Sequence, residues 1–271
     1  MDAVQEKLNN ASTGGSTAQV LTLLKDNPDL DVNWADDLDQ WTALHLASFY
    51  GRDEVVKLLL AHPNINVNTL DVSGSTPFSY GCLNGRIPVI QLLLKDPRVD
   101  ITLADDEGHT PLWWASDSGK HEVIEWLIAS GRDLGDLDKK GMHWGDKEYN
   151  ALELAREMRK TEVVRLLERF LVNPMQTRHE VRVKLGVLDE LAAEVFALTV
   201  FLCDGLLQLR PNNSPAVTRF FTIVKKLPME LQMILCHRVL GSMKQNILRK
   251  DSEAAFLSLA RILLLLDSQS E

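Results

Sequence analysis

The sequence predicts an all-α protein made of two parts, a solenoid of stacked helical repeats followed by a helical bundle. The repeats are indicated by Thr42, Thr76 and Thr110, which lie at intervals of 34 residues within similar windows. A fixed period of this length is typical of stacked repeats. The bundle is indicated by the end of this period near Pro174 and by the long apolar helical patterns that follow it.

The three central windows share one layout, in which a turn-rich stretch leads through Thr-Pro or Thr-Ala into a short apolar helix, a glycine and a second helix. A threonine hydroxyl can cap free backbone amides at a helix start, and proline at the first helical position removes no hydrogen bond. The pattern therefore predicts two helices in each window. The windows are DLDQWTALHLASFYGRDEVVKLLL (37–60), DVSGSTPFSYGCLNGRIPVIQLLL (71–94) and DDEGHTPLWWASDSGKHEVIEWLI (105–128).

These windows resemble ankyrin repeats, whose signature is similar to D-x-x-G-x-T-P-L-H-x-A. Residues 105–115, DDEGHTPLWWA, match this signature except for a tryptophan in the histidine position. Residues 37–47 keep the histidine as His45 but lack the turn glycine and the proline, and residues 71–81 have Ser79 in the histidine position. The resemblance implies that the protein binds partners through the concave side of the array. It also implies that His45 makes a structural hydrogen bond to the neighbouring hairpin.

Two further units extend the array to a predicted total of about five repeats. Residues 16–33 have the pattern of the second helix and exit loop of an atypical first unit, as expected at a solenoid end. Residues 138–171 resemble a fifth unit with about six residues inserted in its hairpin, around the stretch HWGDKEY. We therefore assign residues 1–173 to the repeat array and residues 174–271 to a C-terminal helical domain.

The distribution of charge argues against nucleic acid as a partner of the array. Residues 1–174 carry 28 Asp and Glu against 17 Lys and Arg, and an acidic surface repels phosphate backbones. We also expect no membrane association, because the most apolar stretches are interrupted by Asp204 or too short to cross a bilayer. The three cysteines are far apart and lack C-x-x-C spacing, which favours reduced thiols and a cytoplasmic location, with the nucleus as the alternative.

Motifs for catalysis, cofactor binding and metal binding are absent from the sequence. It contains no phosphate-binding glycine loop, no H-E-x-x-H and no G-x-S-x-G. His143, Asp146 and Glu148 lie close together in the inserted loop, but hydrophilic loops often bring such residues together by chance. We therefore predict no catalytic residue, no metal ligand and no cofactor, and the sequence favours a non-enzymatic function.

The ankyrin resemblance implies a binding surface made by hairpin residues and by the residues that precede the glycine at the end of each first helix. Exposed aromatic side chains beside acids are typical of interaction hot spots, because they bury a large area at low entropic cost. The alternative is that some of these side chains only fill space between repeats. The predicted protein-binding residues are Trp41, Phe49, Tyr50, Asn84, Asp106, Glu107, His109, Trp113, Asp117, Met142 and Trp144.

The two adjacent tryptophans of the window at residues 105–128 receive different predictions. Trp113 occupies the position of His45, and we predict that it is partly exposed towards the groove. Trp114 occupies the position of Tyr80, and we predict that it lies in the core.

The recurring aspartates of the three windows have a predicted structural role. Asp37, Asp71 and Asp105 stand at equivalent positions at the start of each hairpin. Aspartate at such a position commonly accepts hydrogen bonds from the backbone of its own turn. We therefore expect these carboxylates to hold the hairpins in shape.

The leading hypothesis is a non-enzymatic adaptor that binds a partner protein with basic or apolar segments. Three alternatives remain open. Residues 227–241, LPMELQMILCHRVLG, resemble the opening of an F-box, which implies a substrate receptor of a ubiquitin ligase, although any bundle helix can begin in this way. A cleft between the array and the helical domain could hold an enzyme site. The apolar helices at 191–209 and 254–266 could form a homo-oligomer.

Overall fold

The computed structural model divides the chain into two compact units, residues 1–178 and residues 179–271. The structure describes residues 2–143, 147–203, 215–224, 226–227 and 229–239, together with positions 247, 251 and 255.

The described part of the first unit contains five consecutive helix pairs. They are α1 (Asp2–Gly14) with α2 (Thr17–Asp26), α3 (Ala43–Tyr50) with α4 (Asp53–Leu60), α5 (Pro77–Asn84) with α6 (Ile87–Lys95), α7 (Pro111–Asp117) with α8 (His121–Ser130), and α9 (Ala151–Glu157) with α10 (Thr161–Val172). The first helices contact one another in the order α1, α3, α5, α7 and α9, and the second helices contact one another in the order α2, α4, α6, α8 and α10. The predicted solenoid of stacked repeats is confirmed.

The threonine caps predicted for the three central windows are present at the starts of α3, α5 and α7. Thr42, Thr76 and Thr110 have extended backbones, and each side chain accepts a hydrogen bond from the backbone N–H three residues later. In the fifth pair Asn150 takes this role, and the Glu153 carboxylate accepts a hydrogen bond from the Asn150 backbone N–H at 3.0 Å. Such reciprocal caps satisfy amides that the helix itself leaves unpaired.

Glycine at the end of a first helix allows a cation of the next repeat to approach closely. A Cβ atom on Gly51 would lie 2.8 Å from Cδ of Arg86, and one on Gly119 would lie 2.9 Å from Cδ of Lys160. Both glycines have positive φ, 72° and 66°, which other residues rarely adopt. The Arg86 guanidinium also donates to the Phe49 carbonyl at 3.0 Å. The glycines therefore serve both the turn and the stacking of adjacent repeats.

Asparagine side chains join the loops that leave consecutive repeats. The Asn33 amide donates to the Asn64 carbonyl at 2.8 Å and accepts from the Asn66 backbone N–H at 2.7 Å. Asn68 makes the equivalent pair of hydrogen bonds one repeat later, to the Arg98 carbonyl and from the Asp100 N–H. Each asparagine therefore satisfies one donor and one acceptor of the next loop.

A two-stranded antiparallel sheet departs from the otherwise helical architecture. Strands β1 (Gly141–His143) and β2 (Lys147–Tyr149) pair with Gly141 opposite Tyr149. They lie where the sequence predicts an insertion in the hairpin of the fifth repeat. Residues 144–146, which include the predicted binding residue Trp144 and the candidate acid Asp146, lie outside the described residues.

The described part of the second unit is mainly helical. Its helices are α11 (Pro174–Leu185), which crosses the division between the units, α12 (Leu188–Cys203), α13 (Pro215–Val224) and α14 (Met229–Val239). Helices α12 and α14 contact each other. Ala193, Ala197 and Ala255 form a buried cluster against which Ile247 packs.

The predicted apolar helices of the second unit are only partly within the described residues. Residues 204–209, 254 and 256–266 lie outside them. Among the helices that the structure does describe, none is long and apolar enough to span a bilayer.

Candidate protein-interaction site

A groove of about 460 Å³ lies between the hairpins and first helices of the third and fourth repeats. The third repeat contributes hairpin residues and one side of α5, and the fourth repeat contributes hairpin residues and one side of α7. We call this space the Tyr80–Trp114 groove. The residues that line it are Val72, Ser73, Ser75, Ser79, Tyr80, Leu83, Asp105, Asp106, Glu107, His109 and Trp114.

The two aromatic walls of the groove are built by the same local device. Tyr80 and Trp114 occupy equivalent positions 34 residues apart, and both are half-buried. The Tyr80 hydroxyl donates to Asp71 Oδ2 at 2.5 Å, and Trp114 Nε1 donates to Asp105 Oδ2 at 3.1 Å. In each case the acceptor is the first aspartate of the same hairpin, nine residues earlier. The polar atom of each ring is therefore satisfied within the protein, and the ring itself lines the groove.

Asp71 fixes the third-repeat side of the groove. Its carboxylate also accepts from Trp41 Nε1 at 3.2 Å and from the backbone N–H groups of Ser73 and Ser75, both at 2.9 Å. Burial alone would raise the pKa of Asp71, but the hydrogen bonds from Tyr80, Ser73 and Ser75 lower it below its usual value. Burial and the adjacent carboxylate raise the pKa of the Tyr80 hydroxyl. The pair is therefore a carboxylate with a neutral phenol at neutral pH.

The second-repeat hairpin shows that one aspartate was predicted incorrectly. Asp36, rather than Asp37, accepts hydrogen bonds from the backbone N–H groups of Asp39 and Trp41, at 2.8 and 3.0 Å. This hairpin lacks the turn glycine, and Gln40 adopts a positive φ of 56° in a turn that is one residue longer. The carboxylate that can reach the turn amides is therefore the preceding one. Asp71 and Asp105 accept turn hydrogen bonds as predicted.

The prediction of partial exposure for Trp113 is wrong, because the inserted hairpin covers this side chain. Trp113 is only 2% exposed, and its Nε1 donates to the Tyr149 carbonyl of β2 at 2.9 Å. Its ring centroid lies 3.9 Å from that of His109. Trp114, which was predicted to lie in the core, is half-buried and lines the groove. The roles of the two tryptophans are therefore the reverse of those predicted.

His109 is a buried link between the fourth hairpin and β1 rather than an exposed contact residue. It is 3% exposed, its Nδ1 lies 3.0 Å from Asp105 Oδ2, and its Nε2 forms a hydrogen bond with the Met142 carbonyl. Both partners are acceptors, so the ring satisfies both hydrogen bonds only when both nitrogens are protonated. Burial by itself would lower the pKa of His109, but the bonds to Asp105 and Met142 and the charges of Asp105 and Glu107 outweigh it and raise the pKa.

His45 has the opposite arrangement. Its Nδ1 accepts from the Thr42 backbone N–H at 3.2 Å, and its Nε2 donates to the Ser75 carbonyl of the next hairpin at 3.2 Å. The second bond is the structural link that the sequence predicted. Burial is the main cause that lowers the pKa of His45. This imidazole is therefore neutral, with the proton on Nε2.

We expect His109 and His45 to titrate on opposite sides of the value for an unfolded histidine, about 6.5. A raised folded pKa means that the stability from His109 is full below the unfolded pKa and is lost as the pH rises through the folded pKa. A lowered folded pKa means that the stability from His45 is present above the unfolded pKa and is lost as the pH falls through the folded pKa. An NMR titration of the imidazole signals, assigned with His109→Asn and His45→Asn, measures both values. A pKa of His109 at or below that of His45 would contradict the arrangement.

The comparison with protein families covers the first four helix pairs. Residues 8–105 and 65–138 match the model of a family described as ankyrin repeats, in three copies. Residues 8–138 of the chain are ankyrin repeats. The comparison with curated proteins found no match. Ankyrin repeats are modules of protein–protein interaction, so a protein partner is indicated. The matched residues end at 138, and the F-box resemblance at 227–241 stays a prediction.

The ankyrin array places several other predicted binding residues beside the groove. Trp41 is half-buried, with its ring centroid 4.6 Å from that of Tyr80 and 5.2 Å from that of Phe49. Tyr50 is exposed and packs edge-on against Phe49 at 5.0 Å. An aromatic cluster therefore continues from the groove to the second ankyrin repeat.

The remaining predicted residues of the ankyrin array fall into two groups. Asp106 and Glu107 are exposed and line the groove. The other three residues do not line it. The Asn84 amide donates to the Tyr80 carbonyl at 2.9 Å. Asp117 is half-buried in α7, and Met142 is exposed in β1. Their role in binding stays a prediction.

Sequence reasoning missed Tyr80 and Trp114 as groove residues. Both follow the histidine position of the ankyrin signature directly, and both are aromatic. Two aromatic residues at one repeat position, 34 residues apart, were the available signal. Val72, which is 56% exposed and also lines the groove, lies between the hairpin aspartate and threonine and could have been found by the same alignment.

Proposed function

We propose that this protein is a non-enzymatic adaptor whose ankyrin array binds a partner protein at the Tyr80–Trp114 groove. The observation that carries the proposal is that two half-buried aromatic rings line one groove of about 460 Å³. A concave site with aromatic walls and a few polar groups is typical of binding pockets. Aromatic anchors in such pockets commonly supply most of the binding energy of an interface.

Preorganisation of the rings supports this proposal. The hydrogen bonds to Asp71 and Asp105 fix Tyr80 and Trp114 before a partner arrives. Trp114 also contacts the rings of Trp113 and His109 edge-on, at centroid distances of 5.1 and 4.8 Å. A side chain that is already ordered loses less entropy on binding, so more of its contact energy contributes to affinity.

The Trp41–Phe49–Tyr50 cluster supports a larger interface around the groove. A protein partner buries about 800 Å² on each side of a standard interface, which is more than one groove can offer. The cluster adjoins Tyr80 and contains an exposed tyrosine. We therefore place the proposed interface over the second, third and fourth repeats.

We expect Trp114→Ala to weaken binding of the partner by about 30-fold or more, the effect of losing a hot-spot residue. The full-length chain is used to capture partners from cell extract, the captured proteins are identified by mass spectrometry, and their affinities are measured with purified components. Trp126→Ala is the matched control, because Trp126 is also half-buried in the fourth repeat but lies on α8 and does not line the groove. Equal losses in the two variants would contradict the proposal.

A further inference from the structure

We infer that the Tyr80–Trp114 groove receives an arginine side chain of the partner protein. This inference rests on the proposed function and names the chemistry that the groove recognises. Four properties of the groove support it: its negative charge, the exposure of two carboxylates on fixed backbone, its aromatic rings and its apolar edge.

The groove is lined by negative charge. Asp105, Asp106 and Glu107 line it, and no lysine or arginine is among the described residues that do so. The one cationic group, His109, is paired with Asp105 at 3.0 Å. Glu107 Oε2 lies 3.9 Å from His109 Nε2, which is only a weak ion pair. The charges of Asp106 and Glu107 therefore remain to be balanced by a ligand. Partner cations are also attracted at long range by the acidic excess of residues 1–174.

The two open carboxylates sit on backbone that is already fixed. The Asp106 N–H donates to the Ser73 carbonyl at 3.0 Å, and the Glu107 carbonyl accepts from the Met142 N–H at 3.0 Å. The Asp106 side chain also lies against Gly74, where a Cβ would be 2.7 Å from Asp106 Oδ1. Both side chains remain exposed. The hairpin tip therefore presents two carboxylates from a rigid backbone at the mouth of the groove.

The walls of the groove favour a planar cation over a compact one. Tyr80 and Trp114 line it with aromatic rings, and a guanidinium can stack on such a ring while its N–H groups bind carboxylates in parallel. A lysine ammonium cannot stack or bind two oxygens side by side in this way. Val72 and Leu83 provide apolar surface for the aliphatic part of the arginine side chain.

The direct test titrates the full-length ¹⁵N-labelled protein with N-acetyl-arginine methylamide and follows the indole signals by NMR. The Trp114 signal is assigned by its absence in Trp114→Phe. We expect it to shift with the arginine probe, to shift less with the lysine analogue, and to stay in place with the citrulline analogue, which has the same shape without the charge. An equal response to arginine and citrulline, or no response to arginine, overturns the inference.

Charge removal provides the second arm. We expect the double variant Asp106→Asn/Glu107→Gln to weaken binding of the arginine probe by about tenfold or more. Glu122→Gln is the matched control, because Glu122 is an exposed carboxylate of the same repeat that lies on α8 and does not line the groove. Unchanged binding in the double variant, or the same loss in the control, overturns the inference.

The two proposals fail in different ways. If Trp114→Ala abolishes capture of the partner and the double variant leaves it unchanged, the groove binds protein without recognising a cation, and only the arginine inference fails. If the arginine probe binds and depends on the two carboxylates while Trp114→Ala leaves partner capture unchanged, the groove takes a guanidinium and the proposed function fails.

Discussion

Replacing Trp113 with alanine is expected to destabilise the ankyrin array by about 3–5 kcal/mol, the range for removal of a buried tryptophan. The side chain is almost completely buried, contacts His109 and donates to the Tyr149 carbonyl. Its loss leaves a cavity between the fourth repeat and the inserted hairpin, and it leaves the Tyr149 carbonyl without this donor. Urea unfolding of the full-length chain, followed by circular dichroism, measures the change in free energy.

Trp114→Ala is the matched control for this prediction. Trp114 is half-buried at the groove, so its removal opens space to solvent rather than a closed cavity. Asp105 keeps its hydrogen bonds from the backbone and from His109. We expect a cost of about 1 kcal/mol, typical of a single net hydrogen bond. Equal costs for the two variants would show that the assignment of Trp113 to the core and Trp114 to the groove is incorrect.

Gly141→Ala is expected to cost about 3 kcal/mol, the upper part of the range for added atoms in a packed core. A Cβ atom at Gly141 would clash with Cδ2 of His109 and would lie 3.1 Å from Nε1 of Trp113. Both of these side chains are buried and hydrogen-bonded, so neither can move aside cheaply. The variant should separate β1 from the fourth repeat. Urea unfolding measures the loss of stability. The pKa of His109, measured by NMR titration of its imidazole signal, should fall towards that of a histidine without these hydrogen bonds.

Gly14→Ala provides the control for the glycine variant. Gly14 ends α1, and a Cβ atom there would have no neighbour within 4 Å. Alanine also has the higher helix propensity. We expect this substitution to leave stability unchanged or slightly increased. A Gly141→Ala protein as stable as Gly14→Ala would contradict the close packing of β1 on His109.

The repeat architecture was predictable because it depends on local signals. Thr42, Thr76 and Thr110 cap their helices through contacts within three residues, and the contact of His45 with the next hairpin follows from the family signature. The insertion around residues 143–149 was also predictable, because it displaces the 34-residue period. Its pairing as two strands was not predicted, since the segments are short and polar.

The candidate site was less predictable because it depends on contacts between repeats. Trp113 stands in the position of His45, which is itself buried, so the equivalence of the repeat positions favours burial of Trp113. What covers Trp113 is Tyr149, 36 residues later, and no local pattern reports such a contact. The groove likewise needs both Tyr80 and Trp114, which come from different repeats.

Hydrogen–deuterium exchange of the full-length chain, with and without a captured partner, tests the central claim most directly. If the partner binds at the Tyr80–Trp114 groove, protection should increase in residues 71–84 and 105–118, which form the hairpins and first helices of the third and fourth repeats. Helices α6 and α8 should change little. Protection confined to α6, α8 or the second unit, with none at residues 71–84 and 105–118, would contradict the assignment of the groove as the binding site.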